Sequence, residues 1–169
     1  MGNPDRKLHR LPAYVYSDYT RVFFFTLCAR HLSRPFLDPD LASAVIDSLL
    51  WVRTNRKLFL PCYCLMPDHL HFVTRLETEE ARLINAGARG TVAEGILDHI
   101  GTFKRYTTRI WWQHGGQGKL WQRSSYDHAF RYGESVEASI GYVLANPVRK
   151  GLVENWEDYP YAKIVDQWW

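Results

Sequence analysis

The stretch KLFLPCYCLMPDHLHFVTRL, Lys57 to Leu76, decides the fold. Lys57 to Asp68 is apolar and aromatic and ends in a Met66-Pro67-Asp68 turn; His69 to Leu76 then resumes as a second apolar run. Two such runs around a turn read as a β-hairpin. Inside the second run, His69 and His71 stand two residues apart. Strand periodicity puts both imidazoles on one face and sends Leu70 and Phe72 to the other. Paired histidines on a strand are either hydrogen-bonded sheet residues or two ligands aimed at one ion.

Working outward, TRVFFFTLCA (Thr20 to Ala29) is β-rich and apolar, a buried strand ahead of the hairpin. Between them a helix is expected from Pro39, with Leu41, Val45, Ile46, Leu49, Leu50 and Val52 as its apolar face. After the hairpin, Val92 to about Trp112 has helical spacing through Ile96, Ile100, Phe103, Thr107 and Ile110. LWQRSSYDHAFR (Leu120 to Arg131) reads as a fourth strand or extended segment. GESVEASIGYVLANP then forms a helix with Glu134 in its first turn and a stop at Asn146-Pro147. The order is β-α-β-β-α-β-α, which matches an α+β, ferredoxin-like antiparallel sheet with helices on one face and an added C-terminal helix. Residues 1–18 read as a basic N-terminal arm, 19–153 as one domain and 154–169 as an irregular aromatic tail.

The 169 residues carry a net charge of only +3, but the charge is segregated. Residues 102–150 hold eight Lys/Arg against three Asp/Glu, and residues 1–37 hold six against two. Two basic blocks on one surface would suit a polyanion; solvated faces are the plainer account. Cys28, Cys62 and Cys64 form no C-x-x-C pair and read as buried reduced thiols of a cytosolic protein. No apolar run approaches 18 residues, the N-terminus is polar and basic, and MGNPDR lacks a myristoylation serine or threonine, so neither a membrane span nor a targeting segment is expected.

The last helix adds Tyr142 and, four residues on, Asn146, which share a helix face. Tyr142 follows Gly141, which would allow a backbone or ligand to approach closely. Each residue has a bland role too, core aromatic for Tyr142 and helix cap for Asn146. Together with His69 and His71 they could hold a divalent ion beside a hydroxyl nucleophile. An ion gripping a phosphate oxygen acts as a Lewis acid, and tyrosine attack on phosphorus would split strand exchange into two easier steps.

These residues carry a family likeness. MPDHLH (Met66 to His71) resembles the His-hydrophobic-His motif of the HUH superfamily of single-strand DNA nucleases. WQRSSYDHAFR, followed by YVLANPVRKGLV (Tyr142 to Val153), resembles the single-tyrosine transposases, and most closely their REP-associated branch. The likeness runs from about Phe23 to Tyr161. It implies a ferredoxin-like catalytic domain over residues 19–153, a divalent cofactor (Mg²⁺ or Mn²⁺) and a cytoplasmic, nucleoid-associated protein. It implies cleavage of single-stranded DNA near a hairpin or palindromic repeat through a 5′-phosphotyrosine. By motif position His69 and His71 would be metal ligands and Tyr142 the nucleophile. Asn146 stands where insertion-sequence relatives carry a ligating glutamine, a change typical of the REP-associated branch. Insertion-sequence members work as homodimers that share their helices; the REP-associated branch need not.

Residue chemistry sharpens these expectations. Mn²⁺ accepts imidazole more readily than Mg²⁺, so tighter binding of Mn²⁺ is expected. A tyrosine ordinarily keeps its proton at neutral pH, which makes His128 a candidate to assist Tyr142, with Asp127 beside it. Asp68 could orient the imidazole of His69. DNA contacts are expected from Lys104, Arg105, Arg109, Lys119, Arg123, Arg131, Arg149 and Lys150, and from Arg6, Lys7 and Arg10 in the arm. Trp111, Trp112 and Trp121 could stack unpaired bases, with at least one of them in the core. Two other readings remain, a hairpin-binding module that does not cut and a metal phosphodiesterase that uses water.

Overall fold

The computed structural model describes residues 11–30, 33–79, 81 and 95–168. Five strands, β1 (Phe23–Cys28), β2 (Leu58–Met66), β3 (His69–Leu76), β4 (Tyr126–Ala129) and β5 (Ala162–Ile164), form one antiparallel sheet in the order β4-β1-β3-β2-β5. The first four strands are arranged as the ferredoxin-like reading predicts. The helices are α1 (Ala13–Tyr16), α2 (Pro39–Asn55), α3 (Ile96–Gln113), α4 (Val136–Leu144) and the single turn α5 (Asn146–Arg149).

Alternation along the strands gives the sheet two apolar faces. Phe23, Phe25 and Leu27 of β1 and Leu70, Phe72 and Leu76 of β3 join the buried faces of α2 and α3 in the larger core. On the opposite face Cys62, Cys64, Met66 and Val73 pack under Val136, Ile140, Val143 and Leu144 of α4. So α2 and α3 cover one face and α4 the other, and the histidines of β3 point toward α4.

The β2–β3 hairpin closes on Pro67 and Asp68, with Met66 paired to His69. The register of β2 slips between Phe59 and Cys62. Pro61 sits in that slip, where a residue without an N–H is tolerated. The slip also changes parity. Leu58 and Leu60 face α2, but after it Tyr63 and Leu65 do, so Cys62, Cys64 and Met66 turn toward α4.

Capping sets the helix ends. Asp38 accepts hydrogen bonds from Asp40 N (3.0 Å) and Leu41 N (3.3 Å) and starts α2, with Pro39 in the first turn. Ser135 accepts from Ala138 N at 3.0 Å and starts α4. Glu134, expected in the first turn, therefore lies ahead of α4. α4 also ends earlier than expected, at Leu144, and Asn146-Pro147 opens α5. The expected start of α3 near Val92 lies outside the described residues; the helix is seen from Ile96.

The described parts of both terminal segments are more ordered than the sequence suggests. Within the segment read as an arm, Val15 and Tyr16 of α1 are buried in the larger core. The tail supplies β5, pairing with β2. Tyr159 Oη donates to Leu65 O at 2.9 Å. Asp166 pairs with Arg53 and accepts from Leu60 N at 2.7 Å. Trp168 Nε1 then donates to Glu137 Oε1 of α4 at 2.9 Å. The tail thus straps α4 to the sheet.

Among the described residues no helix is long and apolar enough to cross a membrane. Burial raises the thiols of Cys62 and Cys64 to about 12, so they remain protonated packing groups.

Candidate active site and nucleic-acid interface

His69 and His71 face α4 with their rings 4.5 Å apart and their Nε2 atoms 3.0 Å apart. Each ring is steered through its other nitrogen. Asp68 Oδ1 lies 2.6 Å from His69 Nδ1, and Thr26 Oγ1 of β1 lies 2.8 Å from His71 Nδ1. Burial, then the neighbouring His69, lowers the His71 pKa to about 3, so that ring is neutral and keeps a lone pair.

The geometry offers two hydrogen-bonding states. In one, the Thr26 hydroxyl donates to His71 Nδ1, and His71 Nε2–H donates to His69. In the other, His71 Nδ1–H donates to Thr26, and two bare Nε2 lone pairs face each other. That second state needs a cation between them. A separation of 3.0 Å suits two neighbouring ligands of one ion at ordinary metal–nitrogen distances of about 2.1 Å. With both Nδ1 atoms already held, the pair has the outer support that metal-binding imidazoles use. The two histidines therefore fit a divalent ion that accepts imidazole. Among the described residues no three His, Cys, Asp or Glu side chains gather as a metal cluster, so further donors would be an amide, DNA or water.

Tyr142 stands beside this pair. Its ring centroid is 6.0 Å from that of His71 and 6.2 Å from that of Phe24, and the residue is 45% exposed. Arg149 places its guanidinium carbon 4.8 Å from the centre of the Tyr142 ring. Phe24 stacks on His71 at 5.5 Å and completes an aromatic wall. Sequence reasoning missed Phe24 and Thr26, although alternation along β1 sets both apart from Phe23 and Phe25. A Cβ on Gly141 would meet nothing within 4 Å, so the expected close backbone approach is absent and the space there is open.

The remaining candidates separate. Asn146 is buried, and its Nδ2 donates to Tyr142 O at 2.8 Å and Val143 O at 3.3 Å. That bonding is the cap role; a ligand role would fall to its oxygen. His128 shares the site's face but lies beyond Phe24, its β1 partner, and its Nε2 is 2.7 Å from Glu134 Oε2. Its described hydrogen bond thus runs to Glu134 and not to Tyr142. Asp127 faces the other side of the sheet, where it accepts from Tyr16 Oη at 2.6 Å. Adjacent strand residues cannot share a face, so Asp127 is removed from the site.

The predicted basic residues fall into groups. Lys104, Arg105 and Arg109 of α3 and Lys119 and Arg123 beyond it line one open groove of about 620 Å³. Trp112, 53% exposed, lines it too. Lys104 Nζ also donates to Gln122 O (2.6 Å) and Arg123 O (3.3 Å), fastening the groove's two walls. Trp121 is the core member of the three tryptophans, donating to Thr107 Oγ1 at 2.8 Å. Arg149 belongs to the tyrosine, and Arg131 and Lys150 are exposed elsewhere. Arg6, Lys7 and Arg10 lie outside the described residues.

No protein-family model matches the chain. Curated relatives do. A Haemophilus influenzae protein named "Putative REP-associated tyrosine transposase" is 23% identical over 87% of this chain and 82% of the relative. An Escherichia coli "REP-associated tyrosine transposase" is 21% identical over 86% of this chain and 81% of the relative. The chain resembles the REP-associated tyrosine transposases. A solved REP-associated tyrosine transposase, bound to a REP hairpin, superposes with a TM-score of 0.63 at 20% identity, covering 84% of this chain and 75% of that one. At this identity the match to that transposase concerns the fold, and it agrees with the ferredoxin-like arrangement described above.

Proposed function

We propose that this chain is a metal-dependent single-strand DNA endonuclease and strand transferase that acts at DNA hairpins through a 5′-phosphotyrosine. The observation that carries this reading is the placement of Tyr142 next to the supported imidazole pair of its own chain. The curated relatives and the hairpin bound by the structural neighbour support the same class of substrate.

His69 and His71 would hold an Mg²⁺ or Mn²⁺ ion, and Asn146 Oδ1 is the amide oxygen proposed as a further donor. Bound there, the ion supplies Lewis-acid polarisation of the scissile phosphate. Asp68 and Thr26 hold the two rings in place. Tyr142 Oη attacks phosphorus, a tyrosyl P–O bond forms, and the P–O3′ bond breaks. The proton that Tyr142 Oη gives up ends on the departing 3′ oxygen, directly or through solvent, which leaves as a free 3′-OH. Attack by a 3′-OH on the phosphotyrosine reverses these changes and joins strands without an outside energy source. The groove beside α3 would hold the hairpin backbone through Lys104, Arg105, Arg109, Lys119 and Arg123. His128, across the strand from Phe24, remains the proposed proton acceptor for Tyr142, although its described hydrogen bond runs to Glu134.

The test uses labelled single strands from the palindromic DNA flanking the gene, incubated with Mn²⁺ or Mg²⁺ and resolved under denaturing conditions. Wild type is expected to form a protein–DNA adduct that requires the ion. Tyr142→Phe is expected to form none. Hairpin binding without any adduct would favour a module that binds and does not cut. Cleavage persisting in Tyr142→Phe would make water the nucleophile and overturn the assignment.

A further inference from the structure

The basic groove and Tyr142 lie on opposite faces of the sheet. A strand held in the groove must therefore round an edge to reach the tyrosine. The groove wall ends at Arg123 and Ser125, and the next residue is Tyr126, the first of edge strand β4. The side chain of Tyr126 turns to the face of the histidines, because its β1 partner is Thr26, which holds His71. Its ring meets Phe24 edge-on at 6.1 Å, and Phe24 in turn stacks on His71 and touches Tyr142. Tyr126 is nevertheless 53% exposed, and its hydroxyl makes no hydrogen bond among the described residues. The strand beneath it is fixed by the partly buried hydrogen bond from Tyr16 to Asp127.

We infer that Tyr126 is a binding site for one unpaired nucleobase, which stacks on its ring while the strand passes from the basic groove around the β4 edge to Tyr142. This inference rests on the nuclease reading above. The chemistry is sequence-tolerant, since every base offers a π-face and a Tyr ring can stack on any of them. Cations in the groove hold the backbone, and the ring holds the first base beyond it. Phe24 then limits how far that base can slide toward the imidazoles. The site thus sets the distance between the duplex stem and the cut.

Binding is measured with the ion chelated, so that no cleavage intervenes. Two oligonucleotides are compared, a blunt hairpin and the same hairpin with about eight unpaired thymidines, within the usual span of single-strand sites. Tyr126→Ala is expected to weaken the flanked hairpin by about 5- to 100-fold and to leave the blunt one within about 2-fold of wild type. Tyr126→Phe keeps the ring and is expected to bind both like wild type. A 2-aminopurine placed beside the stem should be quenched by wild type and Tyr126→Phe and not by Tyr126→Ala. Equal weakening of both oligonucleotides, or no weakening of either, overturns the inference. If wild type forms the adduct while Tyr126→Ala binds the flanked hairpin normally, this inference fails alone. If wild type binds neither oligonucleotide, the nuclease reading falls with it.

Discussion

Arg149 entered the sequence reading as one more phosphate contact, yet its guanidinium lies over the face of Tyr142. In the proposed reaction a cation there stabilises the negative charge that the phenol takes on as it gives up its proton. Such contacts are worth about 0.5–2 kcal/mol, or roughly 2- to 30-fold in rate. Arg149→Ala is therefore expected to slow adduct formation by about that factor at saturating hairpin, with the hairpin Kd changed less than about 3-fold. Arg149→Lys, which keeps charge and loses the planar fork, should fall between them. A single-turnover time course checks this; a slower rate that vanishes at saturation would make Arg149 an ordinary backbone contact. The placement of the candidate residues was legible at this scale. His69 and His71 share parity on any strand, and Tyr142 lies on a helix whose period is plain. Their supports were not. Thr26 and Phe24 reach His71 through the β1–β3 register, which no local pattern specifies. The Asp127 expectation failed on a rule that was readable: within YDH only Tyr126 and His128 can face the same way.

At the scale of elements, Gly95 decides where α3 begins. Its φ is +58°, and a Cβ there would overlap the Tyr16 carbonyl. Gly95→Ala combines left-handed strain with a backbone clash, and a loss of about 1–3 kcal/mol is expected, read as a lower urea midpoint at unchanged m-value. Gly141→Ala, on an open helix surface, should not lower stability. Most elements were legible because their apolar periods are long. β5 was not, for its three residues, close behind Pro160, are too few to show a period. It forms because the outer edge of β2 offers unpaired backbone groups, which Ile164, Lys163 and Ala162 satisfy opposite Cys62, Tyr63 and Cys64. The early end of α4 was equally hidden. The Asn146 side chain bonds back to the carbonyls of Tyr142 and Val143, so the expected single helix becomes two, with the joint at Ala145.

For the whole molecule, two buried histidines set the response to acid. His71 is lowered to about 3 and His99 is lowered too, in both cases chiefly by burial. Both take up protons at lower pH in the folded chain than in the unfolded chain, whose histidines titrate near 6.5. Unfolded protein then binds more protons, so stability rises with pH across this window. The contribution is complete above about pH 6.5 and is lost as pH falls toward the folded values. Melting temperature without added metal should drop between about pH 7 and pH 5, before most carboxylates titrate. His99→Gln should flatten part of that slope; an unchanged slope would assign it to other groups. The tail strap has a different consequence. Tyr159 and Asp166 hold the tail to β2, and Trp168 ties it to α4, so in the proposed reaction Tyr142 is expected to serve the histidines of its own chain. For the proposed reaction, dilution then leaves the rate per molecule unchanged, and joining two ends requires the DNA, rather than the protein, to change places.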